Sequence, residues 1–568
     1  MTRIGARGFV LSALIGVCLA ATQPASADAG PSTADVVRLP FPGYAGTLTP
    51  YTFGLGYPLM TLVYDTLMWR DASGVPRPWL ARSIRRSAGG RRVTVTLRPG
   101  VRWHDGRPLT AADVAFTFRF VAAHFHPRFT PQLSDVRRVR ARGRLAVVFE
   151  LRRPSLGFDD QPLSDVPILP RHVWRNLPSG QLAPRTPTIG SGPYRLVHAS
   201  PKTGYVFRAD RHYTRGVPRV REIRVPIIRE ARRTFEALRG RRVDMVPLSL
   251  PRQVREQFES TSGIVVRRGP SYAGTALELN LRRPPFDRPV VRRAIAAALN
   301  LQRIVRAVAP ATPAVTGHVH PASGWSRATS LQRFNLARAR ATLTRLGGAP
   351  IRVLAPGNDP VRLEAGRQVV LSLRRAGAAA TLVEAPRAKL GRAFGEDASR
   401  PDFDVAIRSI PALASQDPEY LTALFGSPAR SAPLNVSGYR SAAFDALARR
   451  AATAPDQRRR LAATGAELRQ LARDVPAIAL FFSDGAFAYR PAIYDGWVFV
   501  KGTGILDKRS FLAHSSPAAQ TVPADDALPA SSRSGRGISL LDVLSIVALG
   551  GVALLAGAAL VQWRRRRY

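Results

Sequence analysis

The chain has 568 residues, and its 84 lysine and arginine residues against 39 aspartate and glutamate residues give a formal net charge of +45. Only four of the basic residues are lysines, and the arginines are spread along the chain with few aromatic residues between them. A nucleic-acid platform needs basic and aromatic residues together in one region, so the composition argues against a nucleic-acid partner. The length exceeds what one hydrophobic core usually supports, so two or more lobes are expected.

The N-terminus has the three parts of a secretory signal in the required order. Arg3 and Arg7 form the positive region, residues 9–21 the apolar stretch, and the Ala-Ser-Ala of residues 25–27 the cleavage site. We predict a signal peptide over residues 1–27, with an uncleaved anchor as the alternative. The one cysteine lies inside this segment at position 18 and does not fit a lipid-attachment motif well. The mature chain then has no thiol for a disulfide, a metal or nucleophilic chemistry.

The C-terminus carries a second targeting signal. Residues 543–562 are mostly apolar or small and uncharged, which is long enough to cross a bilayer core, and four arginines follow at 564–567. Such a basic cluster stays on the cytoplasmic side of the membrane. We therefore predict a flexible stalk over residues 513–537, a transmembrane anchor over 538–563 and a basic cytoplasmic tail over 564–568. The body would be exported and anchored at the periplasmic or extracellular face of the cytoplasmic membrane.

The body between these ends alternates between strand and helix patterns. Residues 93–97 alternate apolar and polar side chains as a half-buried strand does. Thr110, followed three residues later by an aspartate, predicts a helix start with a capping box. Asp287 is predicted to cap another helix that has Pro289 in its first turn. Residues 351–383 read as a strand, a helix and a strand, which favours parallel pairing and a mixed α/β class.

Motifs for catalysis, cofactors and metals are missing from the sequence. There is no P-loop, dinucleotide-binding glycine fingerprint, His-Glu-x-x-His or Gly-x-Ser-x-Gly motif. The pairs His124/His126 and His318/His320 could each offer two metal ligands, but no further ligand lies nearby in sequence, so we interpret them as scattered surface histidines. We therefore predict no catalytic residue, no cofactor and no metal site.

An ordered series of about ten short motifs runs through the body instead. They are Val-Arg-Trp-His-Asp-Gly at 101–106, Pro-Leu-Thr-Ala-Ala-Asp-Val at 108–114, Ile-Gly-Ser-Gly-Pro-Tyr-Arg-Leu at 189–196, Arg-Ala-Asp-Arg-His-Tyr at 208–213, the segments 235–244, 279–287 and 334–339, Asp-Pro at 417–418, Asn-Val-Ser-Gly-Tyr at 435–439 and Phe-Asp-Ala-Leu at 444–447. The series closely resembles the extracellular solute-binding proteins of family 5, the dipeptide-, oligopeptide- and nickel-binding type. The resemblance extends from about Val36 to Leu512.

This resemblance implies a bilobal periplasmic-binding-protein fold, type II-like, with an inserted extra domain and, here, an added C-terminal transmembrane helix. Two lobes hinged across a deep cleft would close around a solute. The implied boundaries are lobe I at 28–64, 187–272 and 478–512, the inserted domain at 65–186 and lobe II at 273–477.

The resemblance also suggests where a ligand would be held. Peptide-binding members pair the ligand's amino group with an aspartate three residues before an Asp-Pro turn, and the matching position here is Ala414, so that acid is missing. Asp417 could substitute for it, and Arg408 would favour an anionic ligand instead. In the resembling proteins the loop after the first strand approaches the ligand, which makes Thr52, Phe53 and Gly54 candidates here. Four further candidates lie in or beside the family's motifs: Tyr194, Asn280, Trp325 and Tyr439.

The implied function is a monomeric, non-enzymatic receptor that captures a peptide or other small-molecule solute and presents it to the permease subunits of an ABC importer. The predicted C-terminal helix adds the membrane as a partner. Two alternatives remain open at this point: a membrane-tethered solute sensor or scaffold with the same fold, and an exported hydrolase. A permease gene beside this one would favour transport, and a sensor kinase gene would favour signalling.

Overall fold

The computed structural model describes residues 33–512, with gaps at 42, 45, 53–56, 127, 178–186, 247–249, 251, 309–310, 327–332, 347–349, 358, 386, 395–400 and 428–433. The predicted signal peptide, stalk, anchor and tail therefore lie outside the described residues. Within the described part of the chain, every helix is too short or too polar to cross a bilayer.

The described residues form seventeen strands. In chain order they are β1 (Ala34–Arg38), β2 (Met68–Arg70), β3 (Pro76–Pro78), β4 (Ala81–Arg86), β5 (Arg92–Leu97), β6 (Val136–Arg142), β7 (Ala146–Leu151), β8 (Tyr194–Ser200), β9 (Gly204–Ala209), β10 (Val220–Val225), β11 (Met245–Val246), β12 (Val265–Leu279), β13 (Ala311–Pro313), β14 (Ile351–Pro356), β15 (Ala380–Ala385), β16 (Val405–Ile410) and β17 (Ala477–Tyr489).

Fourteen α-helices and two short 3₁₀ helices, Thr130–Leu133 and Lys508–Phe511, lie in the same ranges. The α-helices are α1 (Tyr57–Val63), α2 (Ala111–Ala123), α3 (Arg171–Trp174), α4 (Ala231–Arg239), α5 (Arg252–Glu259), α6 (Pro289–Ala298), α7 (Leu301–Val308), α8 (Leu336–Leu343), α9 (Pro360–Arg375), α10 (Arg387–Ala393), α11 (Leu413–Gln416), α12 (Tyr420–Phe425), α13 (Ala442–Ala452) and α14 (Gln457–Asp474).

Two four-stranded sheets and a two-stranded ribbon make up the first lobe and the region inserted in it. One sheet has the order β1-β10-β9-β8, and the other has the order β4-β5-β7-β6. In β5, Val93, Val95 and Leu97 point inward, as the alternation predicts. One buried apolar cluster joins both sheets, so the inserted region packs directly on the first lobe.

The largest sheet connects the two lobes. Its order is β11-β17-β12-β16-β14-β15, with β13 added beside β17. The long strands β12 and β17 pair antiparallel from Val265 opposite Tyr489 to Glu278 opposite Ala477, with a register shift between Pro270 and Gly274. These two strands cross the positions where the predicted lobe boundaries fall, at 272/273 and 477/478. The domain boundaries themselves stay predictions.

Three local sequence predictions can be compared with the structure. Thr110 does begin α2 with a capping box, and its backbone N–H donates to Asp113 at 2.8 Å. The segment 351–383 forms β14, α9 and β15, and its two strands pair in parallel as predicted. The capping role of Asp287 is wrong, because Arg288 is the N-cap residue and Pro289 begins α6.

Candidate functional site

A cavity of about 170 Å³ lies between the two lobes, and we call it the cleft cavity. Segments far apart in the chain build its walls, so only the folded chain forms it. Its lining residues are Tyr57, Pro58, Thr61, Trp69, Arg70, Arg128, Asp160, Ser164, Asp165, Ser271, Ala273, Ala412, Leu413, Gln416, Phe487, Val500, Gly502, Thr503, Leu506 and Asp507. Carbon atoms dominate this surface, and its charged lining residues are Arg70, Arg128, Asp160, Asp165 and Asp507.

Two arginines of the cleft cavity are already neutralised by carboxylates. Arg128 donates to Asp165 twice, from Nε at 2.9 Å and from Nη2 at 2.7 Å. Arg70 donates to Asp160 at 2.8 Å. Such paired guanidinium groups have little remaining attraction for an anionic ligand, because their charge is compensated at hydrogen-bonding distance.

Asp507 is the third carboxylate on the cavity wall, and its partners are not cations. It accepts hydrogen bonds from the Trp69 indole Nε1 at 3.1 Å and from the backbone N–H of Arg509 at 2.8 Å. Among the described residues, no basic side chain lies within salt-bridge distance of it. Burial raises the pKa of the Asp507 carboxyl, and the nearby Arg509 and Lys508 charges oppose the increase. A cation placed in the cavity would stabilise its ionised form.

The two lobes also touch beside the cavity, at a group of buried charges that we call the interlobe cluster: Asp160, Asp417, Glu419, Arg460 and Glu467. Arg460 of α14 donates to Asp417 at 2.8 Å and to Glu419 at 3.0 Å, and lies 4.0 Å from Asp160 on the opposite side of the cleft. Its guanidinium also lies 4.6 Å from the centre of the Trp325 ring.

The approach of the lobes at this point leaves no room for a side chain at Gly157. A Cβ added there would lie 2.7 Å from the Glu419 carboxylate and would also collide with Arg460. The inserted region therefore contacts the second lobe directly.

Burial sets the protonation of the interlobe cluster. It raises the pKa of Glu467 to about 8, with the nearby Glu419 charge adding to the effect. Burial also raises the pKa values of Asp417 and Glu419, and Arg460 opposes the increase. One oxygen each of Asp417 and Glu467 has no hydrogen-bond partner among the described groups. Arg460 is hydrogen-bonded to Asp417 and Glu419, and Glu467 lies near them without a salt bridge to Arg460 among the described contacts, so we infer that a proton is retained among these three carboxyls at neutral pH.

This arrangement predicts that alkaline conditions destabilise the protein. Because its folded-state pKa is raised, Glu467 contributes stability that is complete below its ordinary value of 4.5 and is lost as the pH rises through about 8. Between about pH 6 and about pH 9 we expect the free energy of unfolding to fall by about 1–3 kcal/mol through this group. Denaturant unfolding across this range measures the change.

Glu467→Gln should flatten that dependence, because an amide of the same shape cannot ionise. The control is Glu256→Gln, at an exposed glutamate of α5, which should keep the wild-type dependence. If wild type and Glu467→Gln lose stability in parallel, the assignment of the effect to Glu467 is wrong.

The structure does not bring the predicted ligand residues together at the cleft cavity. Phe53 and Gly54 lie outside the described residues, and none of the other seven lines this cavity. Thr52 accepts a hydrogen bond from the backbone N–H of Thr49 at 2.9 Å, within its own turn. Tyr194 is fully buried in the first lobe, where its hydroxyl donates to the Val220 carbonyl at 2.9 Å.

The predicted residues of the second lobe also have partners within that lobe. Asn280 donates to the Phe403 carbonyl at 3.0 Å, and Tyr439 donates to Asp474 at 2.5 Å. Arg408 donates to the Leu434 carbonyl at 2.9 Å and lies 3.7 Å from Glu278. These contacts give the three residues structural roles, and their contribution to ligand binding stays a prediction.

Trp325 and Asp417 lie behind the cavity wall. The Trp325 indole donates to the carbonyl of Gln416, which lines the cavity. Asp417 is engaged with Arg460 and faces a neighbouring cavity of about 330 Å³. Ala414 is fully buried in a core of the second lobe, while Leu413 and Gln416 on the same short helix face the cleft cavity. Among the described residues, the second-lobe wall of the cleft cavity therefore presents no acidic side chain to a ligand.

The histidine pairs differ from the sequence interpretation. His126, His318 and His320 are buried, so describing them as surface histidines is wrong. His126 packs face to face on Phe129 at 4.3 Å, and its Nδ1 accepts a hydrogen bond from the backbone N–H of Arg128 at 3.1 Å. Within the described residues, no group of three or more His, Cys, Asp or Glu side chains is placed to hold a metal ion.

The chain matches the family model described as bacterial extracellular solute-binding proteins, family 5 Middle, over residues 75–432. It is 31% identical to Protein XP55 of Streptomyces lividans over 285 residues, which is 49% of this chain and 51% of that protein. It is 24% identical to the oligopeptide-binding protein AppA of Bacillus subtilis over 252 residues, 44% of this chain and 46% of that protein. The matched stretches thus span about half the length of these two relatives.

Solved structures share the fold at lower sequence identity. The ABC transporter substrate-binding protein CtaP from Listeria monocytogenes superimposes with a TM-score of 0.74 at 19% identity, covering 85% of this chain and all of CtaP. AppA from Bacillus subtilis, in complex with a nonapeptide, gives a TM-score of 0.72 at 19% identity with the same coverage of both chains. These likenesses establish a bilobal α/β periplasmic-binding-protein fold.

Proposed function

Because the chain belongs to the bacterial extracellular solute-binding proteins of family 5, we propose that it is the receptor of an ABC importer and captures a small solute in the cleft cavity. Most of its described length supports this assignment, since the family model covers residues 75–432. The observation that carries the proposal is the cavity itself, which residues of both lobes line and beside which the interlobe cluster joins the lobes through Asp160 and Arg460. Two lobes that meet around a cavity are what a receptor of this kind needs in order to enclose its ligand.

The cavity favours a small solute with an apolar body and a cationic group. Its volume of about 170 Å³ is close to that of engineered apolar cavities that accept benzene, about 150 Å³. A long peptide such as the nonapeptide bound by AppA would not fit in this space without opening of the lobes. We assign the cationic group of the solute to Asp507. The other two cavity carboxylates, Asp160 and Asp165, are already paired with the cavity arginines, whereas Asp507 accepts from a neutral indole.

Filling the cavity should abolish solute binding without unfolding the chain. Leu413→Trp adds bulk to the second-lobe wall, and we expect the solute that co-purifies with the wild-type chain to be lost. The measurement is native mass spectrometry of the full chain, followed by thermal shift with the identified solute, because a ligand that binds only the folded protein raises its melting temperature.

The control is Leu371→Trp, the same substitution at an exposed leucine of α9 outside the cavity, which should retain the solute. Equal retention by both variants would show that the ligand lies elsewhere. A solute with no cationic group would contradict the role given to Asp507 and leave the receptor proposal intact.

We further propose that the receptor is exported and held at the membrane by the C-terminal segment. The support is the sequence pattern of the two ends, with a signal over residues 1–27 and a charge-free apolar stretch before four arginines. The tethered sensor is the second candidate, because a permanent anchor suits a protein that reports occupancy to a membrane partner. Uptake of the identified solute should depend on this gene and on a permease if the protein is a transport receptor, whereas a sensor would leave uptake unchanged.

A further inference from the structure

A larger cavity, of about 480 Å³, lies in the second lobe away from the cleft, and we call it the lobe II pocket. It forms where α6, α8 and α14 meet the start of β17. It shares no lining residue with the cleft cavity, and the proposed function makes no use of it.

The rim of the lobe II pocket is positively charged. Arg293 of α6, Arg333, and Arg338 of α8 lie on it, and the described residues that line the pocket include no aspartate or glutamate. The side chains of these three arginines form no ion pair with a carboxylate in the described ranges, whereas many other arginines of the chain do. A guanidinium without a carboxylate partner retains its donors for the oxygens of an anionic ligand.

A buried histidine supplies a second, independent observation. His318 lines the pocket and is only 4% exposed, yet its Nε2 has no hydrogen-bond partner among the described groups. Burial lowers the pKa of His318 to about 4, so the ring is neutral and Nε2 can donate to an acceptor in its N–H tautomer. An unpaired buried polar atom is unfavourable, and a ligand oxygen in the pocket would remove that cost.

The floor of the pocket is apolar. Leu468 and Leu471 of α14, together with Val475, are buried side chains that line it. A purely ionic ligand would leave this surface uncovered, whereas an aliphatic chain would cover it.

We propose that the lobe II pocket binds a small amphiphilic anion, with its head held by Arg293, Arg338 and His318 and a short aliphatic chain lying on Leu468 and Leu471. The head is a carboxylate or a phosphodiester, since both offer oxygens of the same chemistry. The anion occupies a site separate from the cleft, so its binding does not compete with the transported solute.

Calorimetric titration of the full chain with sodium octanoate tests the proposal. The double variant R293Q/R338Q should bind octanoate at least about tenfold more weakly than wild type, because it removes two charge-assisted contacts. H318F keeps the ring that packs edge-on against Phe425 and should also weaken binding. Melting temperatures of all variants confirm that they fold.

The charge-matched control is R450Q/R458Q, which removes two exposed arginines of the same lobe outside the pocket. The control is needed because a chain of net charge +45 attracts anions non-specifically. Equal weakening in both double variants, or no weakening in either, would overturn the proposal. Binding of 1-octanol as tight as that of octanoate would also overturn it, since the alcohol has no anionic head.

A parallel titration with dioctanoyl phosphatidylglycerol, below its micelle concentration, separates the two sources of such an anion. Tighter binding than octanoate, lost in R293Q/R338Q, assigns the site to a lipid headgroup. Tighter binding of octanoate assigns it to a free carboxylate, and both results support an anion site in this pocket.

Discussion

Arg460→Met is expected to lower the free energy of unfolding by about 3–5 kcal/mol at neutral pH, which is the usual cost of removing one partner from a buried ion pair. Arg460 is 1% exposed and is the cation that Asp417 and Glu419 share at 2.8 and 3.0 Å. Without it, those carboxyls must either stay ionised without a counter-charge or retain protons. Urea unfolding at pH 7 measures the loss.

The loss should depend on pH in a defined direction. Burial already raises the pKa values of Asp417 and Glu419, and Arg460 opposes that increase, so its removal raises both further. The deficit of the variant should therefore shrink as the pH falls and these groups become protonated. Arg460→Met combined with Asp417→Asn should recover part of the stability at neutral pH, because one buried charge is removed with its partner.

Arg459→Met is the matched control on the same helix. The Arg459 side chain is 72% exposed and its ion pair with Asp456 spans 3.6 Å, so the substitution should change stability by less than about 0.5 kcal/mol. Equal effects of the two substitutions would contradict the role given to the interlobe cluster. Because Asp160 lies across the cleft, Arg460→Met should also weaken retention of the cleft solute, which native mass spectrometry of the same preparation would detect.

Sequence patterns predicted the structural features whose contacts lie within one short, contiguous segment of the chain. The parallel unit β14-α9-β15 could be predicted because its hydrophobic periods and its turns lie within one contiguous segment. The capping box at Thr110 depends on a partner three residues away. The sequence placed Pro289 correctly in the first turn, but the helix begins at Pro289 itself, so Arg288 and not Asp287 is the N-cap residue.

The site was less accessible to sequence reasoning because its contacts join distant segments. Asp417 looked free to hold a ligand, yet its partner Arg460 lies 43 residues further along the chain. Asp507 was missed because one acidic residue near the end of the body carries no motif, and only the fold places it on the cavity wall. The signal that could have drawn attention to this region is the rarity of lysine: Lys508, beside Asp507, is one of only four in the chain.

Lys508→Met is expected to destabilise the first lobe by about 3–5 kcal/mol, because it leaves Asp65 as a buried carboxylate without a cation. Lys508 is fully buried and donates to Asp65 at 2.7 Å, across 443 positions of sequence. Asp65 also accepts from the Trp79 indole at 2.8 Å, and the lysine ammonium lies 4.1 Å from the centre of the Trp69 ring. The pair therefore attaches the last segment of the body to the start of the inserted region.

Arginine at this position should not replace lysine, although arginine is the basic residue that the chain uses nearly everywhere else. The ammonium of Lys508 is fully buried, 4.1 Å from the centre of the Trp69 ring and 4.9 Å from that of Trp79. A guanidinium is larger and planar, so placing one there must displace the packed neighbours. We expect Lys508→Arg to cost at least about 1 kcal/mol through overpacking.

Lys202→Met, at an exposed lysine, is the control for the loss of a positive charge in Lys508→Met and should leave stability unchanged. Denaturant unfolding of wild type, these three single variants and the double variant Lys508→Met with Asp65→Asn measures the differences. If Lys508→Met proves as stable as Lys202→Met, the buried pair does not hold these segments together, whereas recovery in the double variant Lys508→Met with Asp65→Asn would show that the unpaired carboxylate causes the loss.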